Sequence, residues 1–229
     1  MQELFKKYDL EISLKQEKKF EEFLKIFIET NSQINLSAIR DEIWIIEKHF
    51  IDSVMLTKFC SIEWKVLDLW TWWWFPGIPL KIIDKNNTDF TLVDSIWKKV
   101  RIVNEFIKKL ELKNIKAIQD RAEELGQNIN HRWKYNIVVS RATAYLPILL
   151  EYTIPLLKVW WIFISYKLDN DEEILQAQKA LHILDAEIIA IKKYKLANQK
   201  RAFLFIQKVW ETHKKYPRSI WEPLKNPIK

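Results

Sequence analysis

Glycine is nearly missing from this chain of 229 residues, which holds 2 glycines against 12 tryptophans. An average chain carries about 7% glycine, roughly 16 residues at this length. Taken literally, almost no position suits a positive φ. Cysteine is reduced to Cys60. That excludes an internal disulfide and a cysteine-built zinc site, and fits a reducing cytoplasm. His49, His131, His182 and His213 are scattered without metal-ligand spacing. No apolar run reaches the roughly 18–20 residues of a membrane span. The start, MQELFKKYDLEISLKQEKK, has no apolar signal-peptide core. Repeats, low-complexity segments and linkers are missing too. The expectation is a soluble, cytoplasmic protein with no membrane partner and no bound metal, acting as a monomer.

What is present is enough for one α/β domain with an extension. Hydrophobic residues make up 48% of the chain, and the net charge of +7 with a pI near 9.2 suits a polyanion such as nucleic acid. Residues 1–60 read as a helical extension, because apolar positions in FEEFLKIFIETNSQINL and IWIIEKHFIDSVMLTKF recur every three or four residues. Asn31 to Asn35 marks the expected break between helices. Residues 61–229 read as a single compact domain. Short apolar runs at 66–69, 90–94, 115–119, 135–140 and 162–166 predict strands, with helices between them at IPLKIID, SIWKKVRIVNEFIKKL, ATAYLPILLEYTIPLL and DEEILQAQKALHIL. AEIIAIKKYKL and RAFLFIQKV form a terminal hairpin-like pair. This alternation implies right-handed βαβ units, a mostly parallel sheet of about seven strands and helices on both faces.

The first strand runs into VLDLWTWWWFPGIPL, residues 66–80. With glycine in place of tryptophan the segment becomes strand, glycine-rich turn and helix start, the arrangement that lets a cofactor approach bare backbone. The same exchange turns DSIWKK, SIWEP and the Trp160–Trp161 pair of LKVWWIFIS into ordinary turns, and brings glycine close to its usual frequency. Some bacterial lineages read UGA as glycine, while another code reads it as tryptophan. One misread codon therefore accounts for both anomalies. The competing reading is a true aromatic cluster. Trp44, within an apolar helix face, is the position expected to be genuine, and Trp210 fits either reading.

The chain resembles the bacterial 16S rRNA (guanine-N7)-methyltransferases, the glucose-inhibited division protein B family. The resemblance rests on NLSAIRD (35–41), KHFIDS (48–53), VLDLWTWWWFPGIPL (66–80), TLVDSIWKK (91–99), DRAEELG (120–126), VVSRATA (138–144) and KKYPRSIWEPLKNPI (214–228), in that order. It departs from the family at Trp70, Trp72, Trp73, Trp74, Trp97, Trp160, Trp161 and Trp221, where glycine is expected. It implies a Rossmann-like class I methyltransferase fold, S-adenosylmethionine as cofactor, and N7 of guanine 527 in 16S rRNA, within the small ribosomal subunit or its precursor, as the acceptor.

The resemblance also implies residue roles. Trp70 stands at the first turn glycine, whose backbone touches the cofactor, and Phe75 lines the same pocket unless it simply packs in the core. Asp68 lies beside the methionine part, or caps the following helix. Ala122 and Glu123 meet the adenine end, although Glu123 and Glu124 could form a solvated helix start. Arg141 belongs to the cofactor and substrate crevice, with a structural pairing to Asp68 or Glu123 as its competitor. His49 and Asp52 match the family, and helix packing explains them equally well. Asp94 ends the second strand 24 residues after Trp70, where an acidic side chain can accept both ribose hydroxyls.

Lys214, Lys215, Tyr216 and Arg218 form a phosphate-and-stacking surface for RNA, or a solvated face. No nucleophile–base pair is evident. Guanine N7 has an exposed lone pair and loses no proton, so in-line positioning suffices. Two other functions fit parts of the pattern. A glycine-rich turn plus Asp94 also suits an NAD-type oxidoreductase, against which the RAE and SRA blocks argue. Genuine tryptophans filling the turn would instead suit a non-enzymatic RNA-binding or ribosome assembly factor on the same fold.

Overall fold

A computed structural model describes residues 1–34, 39–70, 75–141 and 144–229. Helices α1 (Gln2–Lys6) and α2 (Leu14–Ile34) open the chain. A reciprocal cap starts α2: the Gln16 N–H donates to Ser13 Oγ at 3.3 Å and the Ser13 N–H to Gln16 Oε1 at 2.9 Å. α2 runs past the buried Asn31 and ends at Ile34, inside the expected Asn31–Asn35 break, and Asn35 itself lies outside the described residues. Asp41 then caps α3 (Glu42–Ile45), which passes through a π-helical turn at Ile46–Ile51 into α4 (Asp52–Val54). Single π turns inside helices are frequent at functional sites.

The described residues form a seven-stranded sheet of order β3-β2-β1-β4-β5-β7-β6. β1 (Lys65–Leu69), β2 (Asp89–Asp94), β3 (Ile115–Gln119) and β4 (Tyr135–Ser140) match the expected strands to within a residue. β5 (Leu157–Leu168) is longer than expected, and starts earlier. Of the helix expected over ATAYLPILLEYTIPLL, the described residues form α8 (Leu146–Thr153) and a 3-10 turn at Ile154–Leu156, and residues 142–143 lie outside them. Pro155 has no N–H to continue the α-helix. β6 (Ala186–Leu196) and β7 (Gln199–Lys208) pair antiparallel, joined by Ala197 and Asn198, both at positive φ, the two-residue turn that suits strand twist.

Central strands are buried on both faces, which explains their near-continuous apolar sequence. Val66 faces the core shared with α1, α2, α5 (Gly77–Ile83) and α6 (Trp97–Lys109), while Leu67 and Leu69 face the core under α7 (Ala122–Gln127), α8 and α10 (Gln178–Ile183). α6 turns Val100, Val103, Phe106 and Ile107 inward at helical spacing. The expected helix over DEEILQAQKALHIL divides at Ala177 into α9 (Asp171–Gln176) and α10. Edge strand β6 exposes Lys192, Lys193 and Lys195, charges that oppose pairing with another sheet. No helix among the described residues is long and apolar enough to cross a membrane.

Candidate functional site

The strand order reverses between β1 and β4, both parallel to their neighbours, so the crevice lies beyond their carboxyl ends. Asp68 sits on β1, fully buried. Its Oδ2 accepts the Gly77 N–H at 2.9 Å, so the helix-capping reading of Asp68 is realised in the structure. Gly77 allows this approach: a Cβ there would lie 2.7 Å from Asp68 Oδ2 and 2.3 Å from Leu92 Cδ2. Trp70 follows at φ 59°, its N–H donating to the Val93 carbonyl at 3.1 Å and its ring edge-on to Tyr152 at 5.3 Å. Trp72, Trp73 and Trp74, expected in the same turn, lie outside the described residues.

Phe75 resumes the described chain with its ring inside an aromatic group. It stacks on His49 at 4.8 Å and lies 5.7 Å from Phe23 and 5.9 Å from Phe50. The geometry therefore matches the core-packing reading of its side chain. Asp94 ends β2, buried, with Oδ1 accepting the Ile96 N–H at 2.9 Å and Oδ2 lying 3.4 Å from Lys99 Nζ. After β3, Ala122 and Glu123 open α7, and both are buried, so the solvated reading applies to Glu124 alone. Glu123 Oε1 accepts the Tyr152 hydroxyl and the Trp221 N–H, each at 3.1 Å. Burial, then the charge of Glu123, raises the Tyr152 pKa and keeps this hydroxyl a donor.

Arg141 follows β4. Its partner is neither Asp68 nor Glu123 but Asp52: Nε lies 2.9 Å from Asp52 Oδ2, and Nη2 donates to the Lys48 carbonyl on the π turn. Asp52 is fully buried and also receives Arg201 Nη1 at 2.9 Å and the Tyr194 hydroxyl at 2.8 Å. Sequence reasoning missed Arg201 and Tyr194, because no local spacing links them to a residue some 140–150 positions earlier. The KHFIDS block was the available signal, since it holds Lys48, His49 and Asp52 together. Arg141 Nη1 and Ser140 Oγ are buried with no hydrogen-bond partner among the described residues.

The basic tail divides. Lys214 and Lys215 are exposed. Tyr216 is 7% exposed and accepts Arg132 Nη1 on its carbonyl at 2.6 Å, so the expected stacking surface lacks its ring. Arg218 is committed to the fully buried Glu151, with Nε–Oε1 at 2.8 Å and Nη2–Oε2 at 2.6 Å. Between α7 and the tail lies a cleft of about 500 Å³ lined by Glu123, Gln127, Lys215 and Arg218. Among the described residues no group of three or more His, Cys, Asp or Glu could hold a metal ion.

This topology is the fold of the S-adenosylmethionine-dependent methyltransferases. A SAM-dependent methyltransferase from Aquifex aeolicus superposes with a TM-score of 0.56 at 16% identity, covering 72% of this chain and 93% of its own. M. jannaschii TYW2, solved in complex with AdoMet, gives 0.54 at 12% identity, covering 69% and 75%. Residues 16–203 match the family model GidB, rRNA small subunit methyltransferase G. The Ribosomal RNA small subunit methyltransferase G of Desulforamulus reducens is 42% identical over 228 residues, 97% of this chain and 95% of the relative. That of Lactococcus lactis is 37% identical over 227 residues, 97% and 95%. The chain belongs to the GidB family of small-subunit rRNA methyltransferases.

Burial, then the charges of Arg141, Arg201 and Lys48, pushes the His49 pKa down to about 3. An unfolded histidine titrates near 6.5. Below that pH the unfolded chain takes up a proton that the folded chain refuses, so stability falls between about pH 6.5 and 3. His49→Phe keeps a ring against Phe75 without the titration. Between about pH 7 and 4.5, urea unfolding of the wild type should lose roughly 2–3 kcal/mol more than that of the variant. An equal loss would mean that His49 does not titrate as described.

Proposed function

We propose that this protein methylates N7 of guanine 527 in 16S rRNA with S-adenosylmethionine as methyl donor. The observation that carries this reading is the convergence of Trp70, Asp94, Glu123 and Arg141 on the carboxyl ends of four adjacent parallel strands. The residues suit the cofactor. A carboxylate has about four acceptor sites, and Asp94 uses one well, with Lys99 at the long limit of another, leaving capacity for ribose hydroxyls. Arg141 Nη1 is a buried donor of the kind that a bound anionic group satisfies.

When bound, the cofactor supplies an electrophilic methyl on a cationic sulfur. The backbone at Trp70 and Phe75 would border its methionine part, Asp94 would accept from the ribose, and Ala122 and Glu123 would border the adenine. Arg141, fixed by Asp52 and the Lys48 carbonyl, would use its remaining donor, Nη1, on the anionic group of the bound reactants. Guanine N7 would take the methyl through its lone pair as the S–CH3 bond breaks, the sulfur leaving as a neutral thioether and the positive charge passing to the ring, so no proton is removed and the protein needs no base. Its work is to hold the two reactants in line and keep water out. Lys214 and Lys215 serve as exposed phosphate contacts, while Tyr216 and Arg218 hold the tail that presents them.

Deleting the gene should abolish N7-methylguanine at position 527, read by chemical cleavage mapping of 16S rRNA. Undiminished methylation there would reject the assignment. Asp94→Ala should weaken S-adenosylmethionine binding by roughly 1–3 kcal/mol in titration calorimetry; an unchanged dissociation constant removes Asp94 from the site. Changing Lys214 and Lys215 together to Ala should weaken RNA binding and reduce the slope of log affinity against log salt by about one per lost phosphate contact. A slope equal to the wild type's would return this pair to a plain solvated surface.

A further inference from the structure

We propose that the natural protein carries glycine at Trp64, Trp70, Trp133, Trp160 and Trp221, and that its cofactor turn is therefore bare backbone. All five lie in the left-handed region, at φ values of 64°, 59°, 57°, 71° and 69°. A bulky side chain there is a conformational outlier. Most other residues at positive φ in this chain are Asn or Asp, which tolerate it. Neither Gly77 nor Gly126 has positive φ. The backbone thus asks for glycine where tryptophan stands.

At Trp64, Trp70, Trp133 and Trp221 the bond comes from the residue's own main chain and makes no use of the indole. The Trp64 carbonyl accepts the Asp89 N–H at 3.0 Å, leading β1 into the sheet beside β2, and the Trp133 N–H donates to Pro155 at 3.1 Å. Trp160 lies where the β4–β5 register shifts between the pairs Tyr135–Leu157 and Ile137–Ile162. Over that interval β5 spends three more residues than β4, and Trp160 stands in the irregular stretch at φ 71°. Trp221 caps α11 (Glu222–Lys225) and donates its N–H to Glu123 Oε1.

The indoles give an independent sign. Tryptophan is highly buried on average, yet of the five left-handed positions Trp64, Trp160 and Trp221 are 52–63% exposed, and neither Trp70 nor Trp133 is fully buried. The Trp133 Nε1–H is buried with no hydrogen-bond partner among the described residues, which a native indole rarely tolerates. One codon assigned to glycine in the cell of origin and read here as tryptophan explains all five positions. It extends by sequence to Trp72, Trp73 and Trp74 in the same turn. Trp44 differs: it is helical, with Lys48 Nζ 3.9 Å from its ring centre, and nothing in its geometry asks for glycine.

The glycine assignment rests on backbone geometry; only its consequence for the cofactor rests on the methyltransferase reading. Peptide mass spectrometry of the protein from its own cell decides the first. Glycine at the five positions, encoded by UGA, is the expected result; tryptophan peptides or UGG codons there overturn it. Two synthetic genes decide the second, one with tryptophan throughout and one with glycine at these five positions and at Trp72, Trp73 and Trp74. The glycine chain should melt at a higher temperature and bind S-adenosylmethionine saturably, and the tryptophan chain should show no saturable binding. Equal melting and equal affinity would defeat the claim that these positions need glycine. A glycine chain that folds but binds no S-adenosylmethionine, alongside glycine peptides, would reject the cofactor reading and leave the assignment standing.

Discussion

One buried carboxylate ties the molecule together at the crevice. Asp52 has no solvent exposure and accepts from Arg141, Arg201 and Tyr194 within 2.8–2.9 Å. These partners come from the end of β4 and from the β6–β7 hairpin, while Asp52 stands on the N-terminal helices. Desolvating three charged groups is expensive, and geometry this close is what makes it tolerable. Loss of the carboxylate would leave two guanidinium groups facing each other in a largely buried site, a change that typically costs about 3–5 kcal/mol. Tyr194 stays a donor because burial, then the Asp52 charge, raises its pKa. The orientation of Arg141 therefore depends on elements at both ends of the chain.

A second set of buried charges fixes the opposite wall. Arg132 donates to the carbonyls of Gly126, Thr212, His213 and Tyr216, and Arg218 grips Glu151 with two parallel bonds. Guanidinium groups suit both tasks because their donors form a rigid planar fork. Glu123 takes part from the other side, through Tyr152 and the Trp221 N–H. The result is a tail held against α7 and α8 with Lys214 and Lys215 left in solvent. Basic residues in this segment divide between holding the fold and facing outward, a division that net charge cannot express.

The strands and their order of appearance were legible because their physics is local. Runs such as VLDL and YNIVVS are short, mostly apolar and buried on both faces, as central parallel strands are, and the Ala197–Asn198 turn needs just two residues to reverse the chain. The same locality explains what failed. Pro155 cut short a helix that periodicity alone would have continued. The glycine-like turn was visible in sequence as well, since an abnormal composition and a strand–turn–helix pattern are both readable without coordinates.

By itself the sequence determined the α/β alternation, the family, the residues at the strand ends and the suspicion that tryptophan occupies glycine positions. Each of these depends on composition, short-range periodicity or an ordered set of blocks. Only the tertiary structure decided that Arg141 pairs with Asp52, that Phe75 turns into the aromatic core, and that Tyr216 is buried while Lys215 is not. It also supplied the φ angles that turn a compositional oddity into a conformational argument. The reason is the same in each case. Burial and pairing are set by residues as many as 149 positions apart that meet only after the sheet has formed, and no local pattern encodes which of several equivalent charges or rings will meet.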